Sequence, residues 1–214
     1  MILKGFGRML DAVHGETPLA QFLSEEFGQL VVSEVGVQLF ERQLLAHVIL
    51  RGDPEDQHFL SATEKTLDVR LPLTPNTVAE NGDFATLWMG PNEWLILGPP
   101  HSETKIISDL REILRDQFSA VNDLSGGQTI INLQGSNVRD VLSKGCTLDL
   151  HPRVFGPKRC VQTRLGKTNV MIRQMDNSPS FDIIVRRSFS DYLARWINYA
   201  AQEYGIVVVS QPIG

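Results

Sequence analysis

Apolar positions along the chain recur in two rhythms, and the change from one to the other marks its elements. Residues 44–50 form an apolar run that ends at Arg51-Gly52-Asp53-Pro54, where Asp53 can N-cap a helix and Pro54 suits its first position. This predicts a strand leading into a helix that carries Phe59, Leu60 and Thr63 on one face and runs to about residue 67. After a loop at 71–76, apolar runs at 85–89 and 93–97 flank Gly90-Pro91-Asn92, a reversal that predicts a β-hairpin. Ser102 is placed to cap a helix in which Ile106, Ile107, Leu110, Ile113 and Leu114 recur at helical spacing. A strand near 119–124 completes the unit.

The order from residue 44 is β-α-β-β-α-β, the split-βαβ or ferredoxin-like arrangement. A similar order then repeats with little residue identity: a strand at 128–133, a helix at 136–144, strands at 160–165, 169–175 and 181–186, another helix, and a final strand at 206–209. The second half carries one strand more than the first. In the last helix Ser188 and Asp191 read as a capping box, Phe189, Leu193, Trp196, Ile197 and Ala200 form one face, and Gly205 stands where the chain leaves it. The expected fold class is α+β: two related halves, about 44–125 and 126–210, with antiparallel or mixed sheets packed by helices. Residues 17–214 are read as one domain. Residues 1–16 show no sustained period and are read as an extended arm; the stretch from there to about residue 40, broken by Gly28 and Gly36, is assigned no element.

Composition narrows the function classes. An apolar fraction of 42% in 214 residues supports a sizeable core, and a net charge of −5 with acids and bases intermixed offers no extended basic face for nucleic acid. No run reaches the roughly 18 apolar residues needed to cross a bilayer, and the first residues lack the long apolar stretch of a signal peptide, so a cytoplasmic chain is expected. Cys146 and Cys160 have neither CxxC nor zinc-finger spacing; a disulfide stays open on sequence alone, with buried free thiols the expectation.

Candidate chemistry is thin. Asp123-Leu124-Ser125-Gly126-Gly127-Gln128 offers a carboxylate, a hydroxyl and two glycines, but lacks P-loop spacing and its lysine, and a hairpin-like turn is favoured. Gly5-Phe6-Gly7 has no preceding strand and no third glycine, so no dinucleotide site is assigned. His14, His47, His58 and His101 are scattered, and Ser125 and Ser188 lack the GxSxG setting of a hydrolase nucleophile. His151 beside Arg153 is open to acid–base work or anion binding, against a rigid loop set by Pro152. Trp88 and Trp94 bracket the 90–92 turn on a hairpin apolar on both faces, which implies either helices on both sides or one face buried against another protein. Arg186-Arg187 is similarly open between solvation and an acidic partner surface.

The segment Lys144-Gly145-Cys146-Thr147-Leu148-Asp149-Leu150-His151-Pro152 resembles a stretch of the gamma subunit family of heterotetrameric sarcosine oxidase. Leu50-Arg51-Gly52-Asp53-Pro54, Leu73-Thr74-Pro75-Asn76-Thr77, Leu87-Trp88-Met89-Gly90-Pro91-Asn92-Glu93-Trp94-Leu95 and Val185-Arg186-Arg187-Ser188-Phe189 resemble it in the same order, over roughly residues 44–204. Asn92 departs from the aspartate commoner there, without altering the turn chemistry. The resemblance implies a fold like the folate-binding domain of the glycine-cleavage T-protein. It also implies a complex that oxidatively demethylates sarcosine to glycine, reduces oxygen to hydrogen peroxide and passes the one-carbon unit to tetrahydrofolate. In such complexes FAD, FMN, NAD and tetrahydrofolate belong to partner subunits, so the resemblance implies no cofactor in this chain and, as partners, flavin-containing alpha and beta subunits and a small delta subunit. The chain is then a non-catalytic accessory subunit. The competing expectation is a stand-alone folate-binding or aminomethyltransferase-like protein. No catalytic, cofactor or metal residue is assigned; Trp88, Trp94, His151, Arg153, Arg186 and Arg187 are the candidate partner-interface residues.

Overall fold

A computed structural model describes residues 16–25 and 35–209, so most of the N-terminal arm lies outside the described residues. Two antiparallel or mixed sheets stack face to face, with helices on both outer surfaces. The first sheet is built from β2 (Leu45–Arg51), β3 (Val78–Asn81), β4 (Phe84–Gly90), β5 (Glu93–Pro100) and β6 (Ala120–Asp123), in the order β3-β4-β5-β2-β6. The second has six strands in the order β11-β1-β7-β10-β9-β8: β1 (Val37–Arg42), β7 (Gln128–Gln134), β8 (Cys160–Leu165), β9 (Thr168–Gln174), β10 (Ser180–Arg186) and β11 (Ile206–Val208).

The two sheets repeat one topology. In each, the first strand pairs antiparallel with the fourth, the fourth with the third and the third with the second. The last strand lies beyond the first. In the first sheet β6 pairs directly with β2, whereas in the second β1 enters between β7 and β11, antiparallel to one and parallel to the other. The expected extra strand of the second half therefore has a counterpart in the first, β3, which the sequence reading missed. The second sheet also borrows a strand, β1, from upstream of both expected halves.

Alternation along each strand feeds three cores. Residues Val48, Leu50, Trp94 and Ile96 pack on α2 (Gln57–Leu67) and α3 (Glu103–Ile113). Leu133, Ile172, Phe181 and Ile183 pack on α1 (Ala20–Ser24), α4 (Val138–Ser143) and α5 (Arg187–Ala201). Between the sheets, Ile49, Leu87, Leu95 and Leu97 meet Ile130, Cys160, Met171 and Ile184. The hairpin is thus apolar on both faces because helices cover one and the other sheet covers its opposite. Neither sequence expectation anticipated that arrangement.

Caps differ locally from the sequence reading. Helix α2 begins after Asp56, whose carboxylate accepts from the backbone N–H of His58 at 2.8 Å and of Phe59 at 3.2 Å; Asp53 instead accepts from Glu55 N–H and closes the turn before it. At Gly52 a Cβ would lie 2.3 Å from the Phe59 ring, so the approach of strand to helix demands glycine. The Ser188–Asp191 capping box does not form: Arg186 is the N-cap of α5 without a side-chain bond, Ser188 is exposed, and Asp191 pairs with Arg195 one turn on. Phe189 faces outward at 44% exposure, while Leu193, Ala194, Ile197 and Ala200 are buried. The turn at 124–127 does not close a hairpin; it carries the chain from β6 in the first sheet to β7 in the second.

Candidate partner-docking surface

The expected interface residues are dispersed by the fold. Trp94 is fully buried, its ring 5.9 Å from that of Phe59 and its Nε1–H donating to the Pro72 carbonyl at 2.8 Å, so this residue belongs to the chain's own core and leaves the interface candidates. Trp88, its cross-strand neighbour, is half-buried toward the end of the hairpin.

His151 and Arg153 lie in a surface loop held from below. Leu150 and Phe155 insert into the helix-side core, Phe155 stacking on Phe181 at 6.4 Å, while Leu148 and Val154 stay exposed on either side of His151. The Asp149 carboxylate accepts from His151 N–H at 2.8 Å, and His151 Nδ1 accepts from Arg153 N–H at 3.2 Å. That bond engages Nδ1 as an acceptor, so the ring serves the loop's shape. The loop presents apolar and cationic groups together on a rigid base.

Arg186 and Arg187 diverge. The Arg187 guanidinium donates to the Glu16 carbonyl, whereas Arg186, at the end of β10, lines two adjoining hollows of about 470 and 420 Å³. Both hollows also take Arg164 of β8 and Asn169 of β9; Lys167, in the turn between those strands, lines the second. Sequence reasoning singled out neither Arg164 nor Lys167, because only the pairing of β8, β9 and β10 brings them beside Arg186.

Buried ionic groups sit deeper between the sheets. Asp182 accepts from Arg42 Nη1 at 2.6 Å, from Arg173 Nη2 at 2.8 Å and Nε at 3.1 Å, and from Asn132 Nδ2 at 2.6 Å. Arg173 also reaches across to Glu80 of β3 at 2.7 Å, so one guanidinium ties the two sheets. Burial pushes the Asp182 carboxyl up, but Arg173, Arg42 and the Asn132 bond outweigh it and hold its pKa below the ordinary value. His47 faces the same inter-sheet space: burial lowers its pKa and favours the neutral ring, only partly opposed by its 3.1 Å bond with Gln128. Among the described residues no group of three or more His, Cys, Asp or Glu is placed to hold a metal, and no helix is long and apolar enough to cross a membrane.

Both cysteines are free and buried in different cores, Cys146 on the helix side and Cys160 between the sheets. Burial pushes the Cys160 thiol up to about 11, and its Sγ–H donates to the Thr77 carbonyl at 3.4 Å. At pH 8 the thiolate is therefore scarce as well as shielded. The native chain is expected to leave Cys160 unmodified by an alkylating thiol reagent at that pH, whereas the unfolded chain labels at both cysteines; peptide mass mapping distinguishes the two. Rapid native labelling at Cys160 would contradict the inter-sheet packing.

Three comparisons place this architecture. The model of a family described as "Sarcosine oxidase, gamma subunit family" matches residues 51–203. The chain is 31% identical over 178 residues to the sarcosine oxidase subunit gamma of Corynebacterium sp. strain P-1, covering 83% of this chain and 84% of that one. Among solved structures, a chain of the heterotetrameric sarcosine oxidase from Corynebacterium sp. U-96 superposes with a TM-score of 0.80 at 28% identity, covering 89% of this chain and 96% of that one. The aminomethyltransferase T of the glycine cleavage system from Bartonella henselae shares the fold alone, with a TM-score of 0.60 at 13% identity over 83% of this chain and 48% of that one.

Proposed function

The chain belongs to the sarcosine oxidase, gamma subunit family, and from that premise we propose that it serves as the accessory subunit of a heterotetrameric sarcosine oxidase. The observation that carries this reading is the superposition over nearly the whole of both chains with a subunit of such an assembly. The T-protein-like fold agrees, but a shared fold does not transfer a site.

In the finer reading, larger alpha and beta subunits hold FAD, FMN, NAD and the tetrahydrofolate site, and a small delta subunit completes the tetramer. That complex converts sarcosine to glycine with reduction of oxygen to hydrogen peroxide, and the released one-carbon unit passes to tetrahydrofolate. This chain supplies shape and contact rather than reacting groups. Its partner-facing residues are Trp88, His151, Arg153, Arg186 and Arg187. The loop around His151 suits the task, because Leu148 and Val154 expose apolar surface at 40% and 59% beside a cation, on a base that Leu150 and Phe155 anchor.

The test is purification of the chain alone and together with the other subunits of its oxidase. The chain alone is expected to show no flavin absorbance and to be inactive toward sarcosine; the co-purified assembly is expected to be yellow and to generate peroxide. Flavin and turnover in the isolated chain would overturn the accessory reading. Saturable tetrahydrofolate binding by a chain that recruits no partner would favour the stand-alone alternative.

A further inference from the structure

We propose that the cationic hollow where β8, β9 and β10 meet is a docking slot for an acidic segment of a partner subunit, an inference that rests on the subunit reading above. The cations are Arg164, Lys167 and Arg186, and no carboxylate lines either hollow among the described residues. None of the three makes an ion pair within the described chain, although the other ion pairs there engage arginines as far apart in kind as the buried Arg173 and the exposed Arg195. In a protein of net charge −5, three cations around one concavity with no acid of its own are not a product of bulk composition. Left alone they repel one another, and an incoming pair of carboxylates relieves that repulsion.

The shape favours a polypeptide over a small ion. The wall of the larger hollow is apolar where Met89 and Leu95 of the first sheet approach Met171 and Ile184 of the second, while its rim carries the amides of Asn169 and Gln128. Such a surface accepts an apolar side chain on the floor, backbone groups at the amides and carboxylates at the rim. Two methionines give the floor an adaptable surface. Gln162 fixes the wall by donating to the Met89 carbonyl at 2.7 Å, so the two sheets hold this edge together. The start of α5 adds to the potential: it has no acidic residue in its first turn and no side-chain cap, and Phe189 of that turn lines the smaller hollow. The occupant is thus an acidic loop or terminus with one apolar residue among its carboxylates.

The experiment uses the assembled oxidase with wild-type chain and with Arg164→Glu/Arg186→Glu. All these side chains are exposed, so the double variant is expected to fold, and an unchanged melting temperature of the isolated chain checks this. Dissociation of the chain from the assembly is followed by native mass spectrometry at about 50 and about 500 mM salt, a range over which exposed charges pass from weakly to strongly screened. The double reversal is expected to weaken retention by about 10-fold to 100-fold at low salt and to flatten its salt dependence. Arg164→Lys/Arg186→Lys should retain most of the affinity. In parallel, a photo-cross-linker at Asn169 of the assembled chain should capture a partner peptide rich in Asp or Glu.

Equal retention of wild type and reversal at both salts, with no acidic peptide captured, overturns the docking slot while leaving subunit membership intact. Retention of the variant together with saturable citrate or phosphate binding by the wild type overturns it in favour of a small-anion site. Failure of the wild-type chain to assemble at all would instead count against the subunit reading. For a variant that melts early, the cross-link alone decides.

Discussion

Asp182→Asn is expected to lower the folding stability of the isolated chain by about 3–5 kcal/mol, the usual result of removing one partner from a buried ion pair. The change is nearly isosteric, so packing is not the cause. Arg173, 3% exposed, would keep only Glu80, and the part-buried Arg42 would lose its anion while remaining close to Arg173. For a domain of this size that loss corresponds to a fall in Tm of roughly 6–20 °C. The pH dependence separates charge from packing. Because the native Asp182 pKa is depressed, its stabilisation is full above the unfolded value of about 4 and is lost as pH falls through the lower native value. Wild type should therefore lose stability below about pH 4, and this component should vanish from the variant. Thermal melts of both proteins from neutral pH down to about pH 2 supply the comparison. A variant melting within a few degrees of wild type at neutral pH would mean that the cluster does not tie the sheets together.

Trp94→Ala is the second large effect, at about 3–5 kcal/mol for deleting a buried aromatic ring. The cavity opens between β5, α2 and α3, and the Pro72 carbonyl loses the donor that holds the 71–76 loop against the hairpin. Trp94→Phe should retain most of the packing and cost about 1–3 kcal/mol, chiefly through that unsatisfied carbonyl. Trp88→Ala, at a half-buried position, should cost less than either. Urea unfolding of the isolated chain measures all three, and the readout is diagnostic because no partner is present. If Trp94 served an interface, its loss would weaken assembly and leave the midpoint of the isolated chain unmoved.

The elements legible in the sequence were those whose side chains obey one period. The runs that became β2, β5, β7 and β8 announced themselves by apolar and β-branched residues, and α3 by Ile106 and Leu110. What escaped was decided by pairing. Strand β3 reads Val78-Ala79-Glu80-Asn81, with little alternation, and becomes a strand because β4 offers it an edge. Asp53 and Asp56 are equally good caps by composition; the close approach of Gly52 to Phe59 starts the helix after the second. At α5 the strand runs directly into the helix, leaving Ser188 past the cap position. The recognisable segment at 144–152 identified relatives, yet it gave no hint that Leu150 points inward while Leu148 points out. Asp182 did leave a trace, a lone acid in Phe181-Asp182-Ile183-Ile184, where every neighbour is apolar. Its cations came from β1 and β9, and no local pattern reaches that far. Separation in sequence likewise hid Arg164 and Lys167 from Arg186.

The position of β1 bears on how the chain is made. The ribosome releases this strand before any of the first sheet, yet its partners β7 and β11 follow only after that sheet is complete. Val37 and Leu39 must therefore wait, unpaired and apolar, through the synthesis of an entire layer. Domains form as units during translation, and an unpaired strand edge is where such intermediates stick to one another. The first sheet can close early from contacts near in sequence, whereas in the second the oldest strand pairs with β7, the next strand of its sheet to be made, and receives β11, the newest, on its other edge only at the end. The β1–β11 pairing thus joins an early strand of the described chain to its far end, the kind of contact, distant in sequence, that forms slowly.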